Sequence, residues 1–323
     1  MSDSVILSAI QDFFKTLHSI IYAKTTDKMW LRLVFILAIA LFFVISYKKN
    51  PSLYQEGFDQ SESFVLRENN NIYDKFYSDK YDVLMKPEER AIFEINAVIQ
   101  MTNPSENSVF LDIGSGTGDL VNKLQSKGYS VYGIDKSPSM VEKCQQKYPE
   151  SEVVCKDVSD PMTFEHNTFS HILCTGFTIY HMQDKEMFFK NSYYWLRQNG
   201  YLIIHLVDRD TYDPITPIAK PTFMDNLQKY TPIRITKSEV DFTDYSYKSD
   251  VLFPKDDMKV IVKETFTDNN GHVRQNENTL YMEPTDTILK IAIKHGFIVH
   301  SKIDMSKQNG DEHQYLYVLE RTM

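Results

Sequence analysis

The chain has 323 residues, of which 42% are hydrophobic and 24% are charged, and its formal net charge is −9 at pH 7. The length fits one large domain or two small ones, and the composition is ordinary for a globular protein. The negative charge argues against broad electrostatic binding to nucleic acid, so we predict no nucleic-acid partner.

The N-terminal region predicts contact with a membrane. Residues 1–28 carry apolar side chains at helical spacing, which is typical of a helix on a membrane surface or against a partner. Residues 29–47 are predicted to form a transmembrane helix, because 33–45 hold no polar residue and about 19 residues span roughly 28 Å. A buried core helix seldom lacks a polar stripe for four turns, and a cleaved signal peptide starts earlier. We therefore predict a retained single-pass anchor.

The orientation of this anchor rests on two opposed signals. Basic residues are slightly more numerous before the anchor than after it, which favours a cytosolic N-terminus. The three cysteines, Cys144, Cys155 and Cys174, show no CxxC pairing or metal-like spacing, which favours reduced thiols facing the cytosol. Because the charge difference is small, we predict that the main domain faces the cytosol and holds no metal. Cys155 and Cys174 fall in runs that predict buried strands.

Residues 48–70 are polar and lack periodicity, so they are predicted to be a linker. A domain of alternating strands and helices then fills 71–323. This alternation predicts an α/β fold, with a mostly parallel sheet and helices on both faces. The predicted helices are 87–101, 119–128, 137–148 and 185–200, and the predicted strands are 108–114, 130–135, 151–157, 170–177 and 201–208.

The pattern changes after Asp208. Strands are predicted at 239–252, 258–266 and 272–282, the last two joined by the turn Asn269-Asn270-Gly271. A helix at 285–296 and strands at 297–305 and 314–322 close the chain. We interpret about 238–283 as an antiparallel insertion, which either covers an active site or forms a homodimer through its sheet.

Ligand binding is predicted at the carboxyl ends of the parallel strands. There, "LDIGSGTG" (111–118) joins a strand to a helix through Gly114, Gly116 and Gly118, which let backbone N–H groups approach a ligand. A dinucleotide fingerprint requires G-x-G-x-x-G, but here the third glycine comes one position early. Asp135 and Asp157 follow the next two predicted strands, and a carboxylate with two acceptor oxygens suits a vicinal diol.

The glycine motif and both aspartates resemble the motifs of class I S-adenosylmethionine-dependent methyltransferases, with a Rossmann-like sheet. The resemblance implies that Asp135 binds the ribose hydroxyls, that Asp157 and Val158 bind adenine, and that Met140 covers the adenine face. Asp112 would orient the glycine loop and the cofactor's methionine portion. One departure is Ser170, where many relatives have aspartate. The full cofactor-binding set is predicted as Tyr77, Asp112, Gly114, Ser115, Gly116, Gly118, Asp135, Lys136, Met140, Asp157, Val158 and Thr175.

The segment 71–84 and the insertion resemble small-molecule N-methyltransferases such as the sugar amine dimethyltransferases and glycine N-methyltransferase. In that branch a tyrosine of the N-terminal segment contacts the cofactor, and we assign this role to Tyr77, with Tyr73 as second choice. His181 is the predicted base or acceptor ligand, with Tyr180 beside it and His205 next.

The resemblance implies a membrane-anchored methyltransferase that uses S-adenosylmethionine. Its acceptor would be a small molecule, a lipid headgroup or a sugar amine. The alternative is an inactive scaffold that retains the fold and is tethered to a membrane. Methylation of a protein is a less favoured alternative, because no stretch of the sequence indicates a peptide-binding groove.

Overall fold

A computed structural model describes residues 62–221, 226–255 and 257–322, all within a unit that runs from Phe58 to Met323. The predicted amphipathic segment 1–28 and the predicted transmembrane helix 29–47 lie outside the described residues. Within the described ranges, no helix is both long enough and apolar enough to cross a bilayer.

The described elements follow the predicted alternation of strands and helices closely. The strands are β1 (Phe64–Glu68), β2 (Val109–Ile113), β3 (Ser130–Asp135), β4 (Val153–Cys155), β5 (Phe169–Cys174), β6 (Leu196–Val207), β7 (Lys237–Asp241), β8 (Tyr245–Leu252), β9 (Lys259–Asp268), β10 (Val273–Tyr281), β11 (Phe297–Asp304) and β12 (Gln314–Arg321). The helices are α1 (Lys75–Met85), α2 (Pro87–Thr102), α3 (Asp119–Ser126), α4 (Pro138–Lys147), α5 (Lys185–Trp195), α6 (Thr285–Lys294) and α7 (Ser306–Asn309).

Among the described residues, seven strands form a mostly parallel sheet in the order β11-β12-β6-β5-β2-β3-β4. β2 pairs in parallel with both β3 and β5, whereas β12 runs antiparallel to β6. The strands that follow β2 in sequence therefore lie on both sides of it: β3 and β4 on one side, β5 and β6 on the other. This switch opens a crevice beyond the carboxyl ends of the central strands. The predicted α/β fold is confirmed.

Apolar side chains cover both faces of this sheet. One face packs Phe188, Phe189 and Trp195 of α5 into a buried cluster, and the other packs Ile95 of α2 and Leu124 of α3. Helices on both faces hide the apolar surface of a parallel sheet from water, which is the main favourable contribution to folding.

A second, smaller sheet is built largely by the predicted insertion. Its order is β1-β10-β9-β8-β7 in the described chain, with β1 parallel to β10 and the other pairs antiparallel. The predicted turn at 269–271 joins β9 to β10. One face of this sheet packs Tyr245, Tyr247 and Phe266 against α1.

The structure differs from the sequence predictions at four places. The linker does not reach residue 70, because Phe64–Glu68 pairs with β10. The predicted helix 185–200 ends at Trp195, because Leu196 already pairs with Phe169. The single strand predicted at 239–252 is a hairpin of β7 and β8. Cys155 is exposed because β4 is an edge strand, while Cys174 is buried as expected.

Candidate functional site

The glycine turn lies between β2 and α3, at the carboxyl end of the central strand. Gly114, Gly116 and Gly118 all have positive φ, at 73°, 54° and 86°. The Gly114 N–H donates to the Ile134 carbonyl at 2.8 Å, and the Gly116 N–H donates to Asp135 Oδ2 at 2.9 Å. These bonds fix the turn against the end of β3.

Asp135 is held by backbone donors on both of its carboxylate oxygens. Besides the bond from Gly116, the Ser137 N–H donates to Oδ1 at 2.8 Å. Burial raises the pKa of Asp135, and the N–H bonds from Ser137 and Gly116 oppose that rise. A carboxylate oxygen accepts more than one hydrogen bond, so this side chain can also receive donors from a ligand.

Asp157 follows β4 and carries a different set of partners. Lys136 Nζ lies 2.8 Å from Asp157 Oδ2, and the Ser159 N–H and Oγ donate to Oδ1 at 2.9 and 2.8 Å. Burial acts to raise the pKa of Asp157, but the bonds from Lys136 and Ser159 lower it overall. The side chain is therefore an ionised acceptor at neutral pH.

These groups border one concave space of about 520 Å³, which we call the strand-end cleft. The predicted cofactor-binding residues that line it are Gly114, Gly116, Asp135, Lys136, Met140, Asp157 and Val158. Tyr73, Tyr81, Thr178 and His181 also line it. Of the two N-terminal tyrosines considered from the sequence, the second choice, Tyr73, lies at the cleft.

Three other predicted residues lie deeper. Asp112, Ser115 and Thr175 line a small polar pocket of about 30 Å³ beside the glycine turn, together with Arg90 and Glu94. Sequence analysis missed Arg90 and Glu94, which α2 delivers from a stretch that has no motif. Gly118 lines none of these spaces in the described structure and instead approaches the Cys144 side chain.

The small polar pocket concentrates buried charge. Arg90 Nε lies 3.4 Å from Glu94 Oε1, yet Arg90 Nε and both Glu94 carboxylate oxygens lack hydrogen-bond partners among the described residues. Burial, followed by the negative charge of Glu94, raises the pKa of Asp112 to about 7. Buried polar groups without partners indicate that a ligand or water completes the pocket.

A second space of about 630 Å³, the tyrosine cavity, lies between α1 and the second sheet. Tyr77, Tyr247 and Glu264 line it, and Tyr77 Oη donates to Glu264 Oε1 at 3.0 Å. The structure thus places Tyr77 in this cavity and not among the residues that line the strand-end cleft. Of the residues that the structure describes, four line both spaces: Tyr73, Tyr81, Gly176 and His181. We call this set the junction.

The predicted catalytic residues separate in the structure. His181 lies at the junction with Nε2 3.5 Å from Tyr73 Oη, and burial lowers its pKa to about 4. His205 lines the tyrosine cavity, and burial lowers its pKa to about 3. Both imidazoles are therefore neutral at pH 7. Tyr180 is fully buried, and its hydroxyl accepts the Val207 N–H at 2.9 Å, so it supports the end of β6.

Comparison with known sequences finds similarity to methyltransferases over part of the chain. Residues 111–204 match the family described as "Methyltransferase domain". An uncharacterized methyltransferase of Bacillus cereus (strain ZK / E33L) is 29% identical over 164 residues, which cover 47% of this chain and 74% of that protein.

Comparison with solved structures shows the same fold. An S-adenosylmethionine-dependent methyltransferase of Clostridium acetobutylicum ATCC 824 has a TM-score of 0.56 at 17% identity, covering 78% of this chain and 100% of that chain. CalS10, an amino pentose methyltransferase of Micromonospora echinaspora with bound S-adenosylmethionine, has a TM-score of 0.53 at 14% identity, covering 78% and 99%. Residues 111–204 thus match a methyltransferase domain, and the chain shares its fold with S-adenosylmethionine-dependent methyltransferases, which supports the predicted class I methyltransferase. S-adenosylmethionine is confirmed as the predicted cofactor.

Proposed function

We propose that this protein transfers a methyl group to a small-molecule acceptor bound in the tyrosine cavity. The observation that carries the proposal is the junction, because Tyr73, Tyr81, Gly176 and His181 border both the strand-end cleft and the cavity. A cofactor in the cleft and an acceptor in the cavity would meet there. Proximity and orientation are the main requirements for a direct displacement.

The strand-end cleft offers a donor and acceptor set that suits S-adenosylmethionine. The Asp135 carboxylate, oriented by the Gly116 and Ser137 N–H groups, would accept bonds from a vicinal diol. Asp157 and the Val158 backbone would take the adenine edge, and the buried Met140 would support its face. The hydrogen bonds that Asp135 accepts from the backbone therefore leave acceptor capacity for a ligand.

The small polar pocket suits the charged methionine end of the same cofactor. Arg90 would pair with the carboxylate, while Glu94 and Asp112 would face the ammonium group. Arg90 Nε and Glu94 Oε1 are ion-paired at 3.4 Å, but the geometry of this contact is not that of a hydrogen bond, and this assignment would supply hydrogen-bond partners to both side chains. A buried unpaired polar group costs roughly 1–3 kcal/mol, so a ligand that pairs it gains affinity.

When bound, S-adenosylmethionine supplies an electrophilic methyl group on a sulfonium. The chain itself has to position the acceptor, exclude water and remove a proton where the acceptor requires it. His181 is neutral above about pH 4, so its Nε2 can accept a proton at the junction or hydrogen-bond the acceptor. Tyr73 Oη lies 3.5 Å from that nitrogen and orients it.

We infer the class of acceptor from the shape of the cavity and from the resemblance of 71–84 and the insertion to small-molecule N-methyltransferases. The likeness to an amino pentose methyltransferase and the aromatic walls support a sugar amine or another small molecule. A lipid headgroup is a further acceptor of this size. One face of the second sheet lines the tyrosine cavity. Dimerisation through that sheet stays a prediction.

The membrane anchor at 29–47 is a separate part of the proposal and rests on sequence. We place the methyltransferase domain at a membrane surface, facing the cytosol. Full-length protein should stay in the membrane fraction after an alkaline carbonate wash, and protease added to sealed spheroplasts should not cleave the domain. Release into the supernatant would contradict the anchor, and cleavage would contradict the orientation.

Binding of S-adenosylhomocysteine to the full-length chain, followed by calorimetry, tests the cofactor site. Asp135→Asn keeps the shape but removes the charge, so we expect affinity to fall about 30-fold, the equivalent of about 2 kcal/mol. Asp241→Asn, which removes an exposed carboxylate on β7, is the matched control and should change nothing. A folded wild-type chain that fails to bind would leave the inactive scaffold as the better description.

A further inference from the structure

Glu264 is a buried carboxylate on β9 that faces the tyrosine cavity. The residue is 3% exposed, and its side chain has three neutral donors. Tyr77 Oη and Tyr247 Oη donate to Oε1 at 3.0 and 2.8 Å, and Asn276 Nδ2 donates to Oε2 at 3.3 Å. The donors hold the carboxylate in one orientation against the cavity.

In the part of the chain that the structure describes, no cationic side chain forms an ion pair with this carboxylate. Among the described residues, no lysine, arginine or histidine nitrogen lies within 4.0 Å of its oxygens. Burial raises the pKa of Glu264, and the positive charge of Arg274 only partly opposes that rise. The Arg274 guanidinium is itself engaged by Asn276 Oδ1 at 3.0 Å and by Asp74 at 2.8 Å. A buried charge is costly unless it is paired, so a charge of opposite sign supplied from the cavity would stabilise it.

The walls around Glu264 favour the same kind of ligand. Tyr73, Tyr77 and Tyr81 form a row. The ring centroids of Tyr73 and Tyr77 lie 5.5 Å apart, and those of Tyr77 and Tyr81 lie 6.2 Å apart. All three line the cavity, as does Tyr247. The faces of aromatic rings attract cations, and cages of several rings bind quaternary ammonium groups.

Glu264 lies away from the point where a methyl group would be transferred. It lines the tyrosine cavity and not the strand-end cleft. Tyr77 and Tyr73 stand between Glu264 and His181, linked to them by the contacts already given. An amine attacks only in its neutral form, so a group held as a cation at Glu264 is distinct from the atom that is methylated.

We infer that Glu264 and the surrounding tyrosines form a cation subsite, which selects acceptors that carry a protonated or quaternary ammonium group besides the methylated atom. The inference rests on the proposed function and specifies its acceptor class. A diamine or an aminated sugar with a second amine has this chemistry. A neutral acceptor of the same shape would leave the buried carboxylate unpaired.

A pair of isosteric probes tests the subsite in the full-length chain saturated with S-adenosylhomocysteine. Benzylammonium and benzyl alcohol differ in charge but hardly in shape, and their affinities are compared by ligand-observed nuclear magnetic resonance titration. We expect the cation to bind about tenfold more tightly in the wild type, the equivalent of about 1.4 kcal/mol. Glu264→Gln should bring the ratio close to one.

Two further variants separate recognition from a purely structural role. Tyr247→Phe removes one hydrogen bond but keeps the carboxylate, so the preference for the cation should persist. Glu239→Gln, at an exposed residue paired with Lys248 at 2.8 Å, is the matched control. Equal affinities in the wild type, no detectable binding of the cation, or a preference that survives in Glu264→Gln would overturn the inference.

The same samples distinguish this failure from failure of the proposed function. Loss of the cation preference with intact S-adenosylhomocysteine binding would remove the subsite alone. A folded wild-type chain that does not bind S-adenosylhomocysteine would remove the proposed function and the subsite with it.

Discussion

The strand-end cleft and the tyrosine cavity meet at four residues, but they are built in different ways. The cleft is formed by strand ends and turns that carry backbone donors, such as the Gly116 N–H bonded to Asp135. The cavity is formed by side chains far apart in sequence, since Tyr77 and Glu264 are separated by 187 positions. Local geometry therefore determines the first space, and tertiary packing determines the second.

The largest expected effect comes from straining the glycine turn at Gly118, which packs against Cys144 behind the cleft. This residue has φ +86°, and a Cβ there would lie 2.2 Å from Cys144 Sγ. Left-handed strain and overpacking together should lower the free energy of unfolding of Gly118→Ala by about 3 kcal/mol. Urea unfolding of the domain measures this loss.

Two variants show whether the clash with Cys144 is the cause. Gly116→Ala has a similar positive φ, but the nearest atom to its Cβ is a Tyr81 ring carbon at 3.7 Å, so it should cost only about 1 kcal/mol. In a double-mutant cycle, Cys144→Ala should recover about half of the Gly118→Ala loss. Simple additivity of the two substitutions would contradict the steric explanation.

This contrast explains how much the sequence could predict. The glycines and the aspartates after β3 and β4 are local signals, because turn geometry and strand ends are specified by neighbouring residues. Seven of the predicted cofactor-binding residues line the strand-end cleft for this reason. Tyr77 was misplaced because it lies in the first turn of α1 and lines only the tyrosine cavity, whereas Tyr73 precedes α1 and lines both spaces.

The cavity residues gave no comparable signal. Glu264 shares a face of β9 with Val260 and Phe266, so the strand period alone places it inward but names no partner for its charge. Only the packing of the second sheet against α1 buries it beside two tyrosines. Likewise, Arg90 and Glu94 read as ordinary charges of an amphipathic helix until α2 is placed next to the glycine turn. Long-range packing of this kind has no motif.

An intermediate effect is expected from the titration of Asp112, which sharpens the comparison on the cleft side. Its pKa is about 7 in the free protein, so it is largely protonated below that pH. A ligand ammonium group beside it favours the carboxylate, and binding at low pH must release the proton. The affinity for S-adenosylhomocysteine should therefore rise about tenfold between about pH 6 and about pH 8 and then level off.

Calorimetry across this pH range, repeated with Asp112→Asn, checks the assignment. The variant cannot ionise, so its affinity should vary much less with pH than that of the wild type. Ser115→Ala removes a neighbouring hydroxyl that donates to the Asp112 carbonyl at 2.9 Å and lowers the pKa of Asp112, so it should retain the pH dependence with its midpoint moved to higher pH. An equal slope in the wild type and in Asp112→Asn would refute the role of this carboxyl.

The smallest effect separates the two spaces most directly. Tyr77→Phe removes the hydroxyl that donates to Glu264 but leaves the ring in place, so the free energy of unfolding should fall by about 1 kcal/mol. Because Tyr77 lines the cavity and not the strand-end cleft, the affinity for S-adenosylhomocysteine should change less than about twofold. Tyr73→Phe is the matched variant at the junction, where the lost hydroxyl lies 3.5 Å from His181 Nε2. Tyr77→Phe should therefore weaken cofactor binding less than Tyr73→Phe does. The opposite order would show that α1, which contributes to both spaces, binds the cofactor through a cavity side chain, and the distinction between a cleft formed by the backbone and a cavity formed by side chains would not hold there.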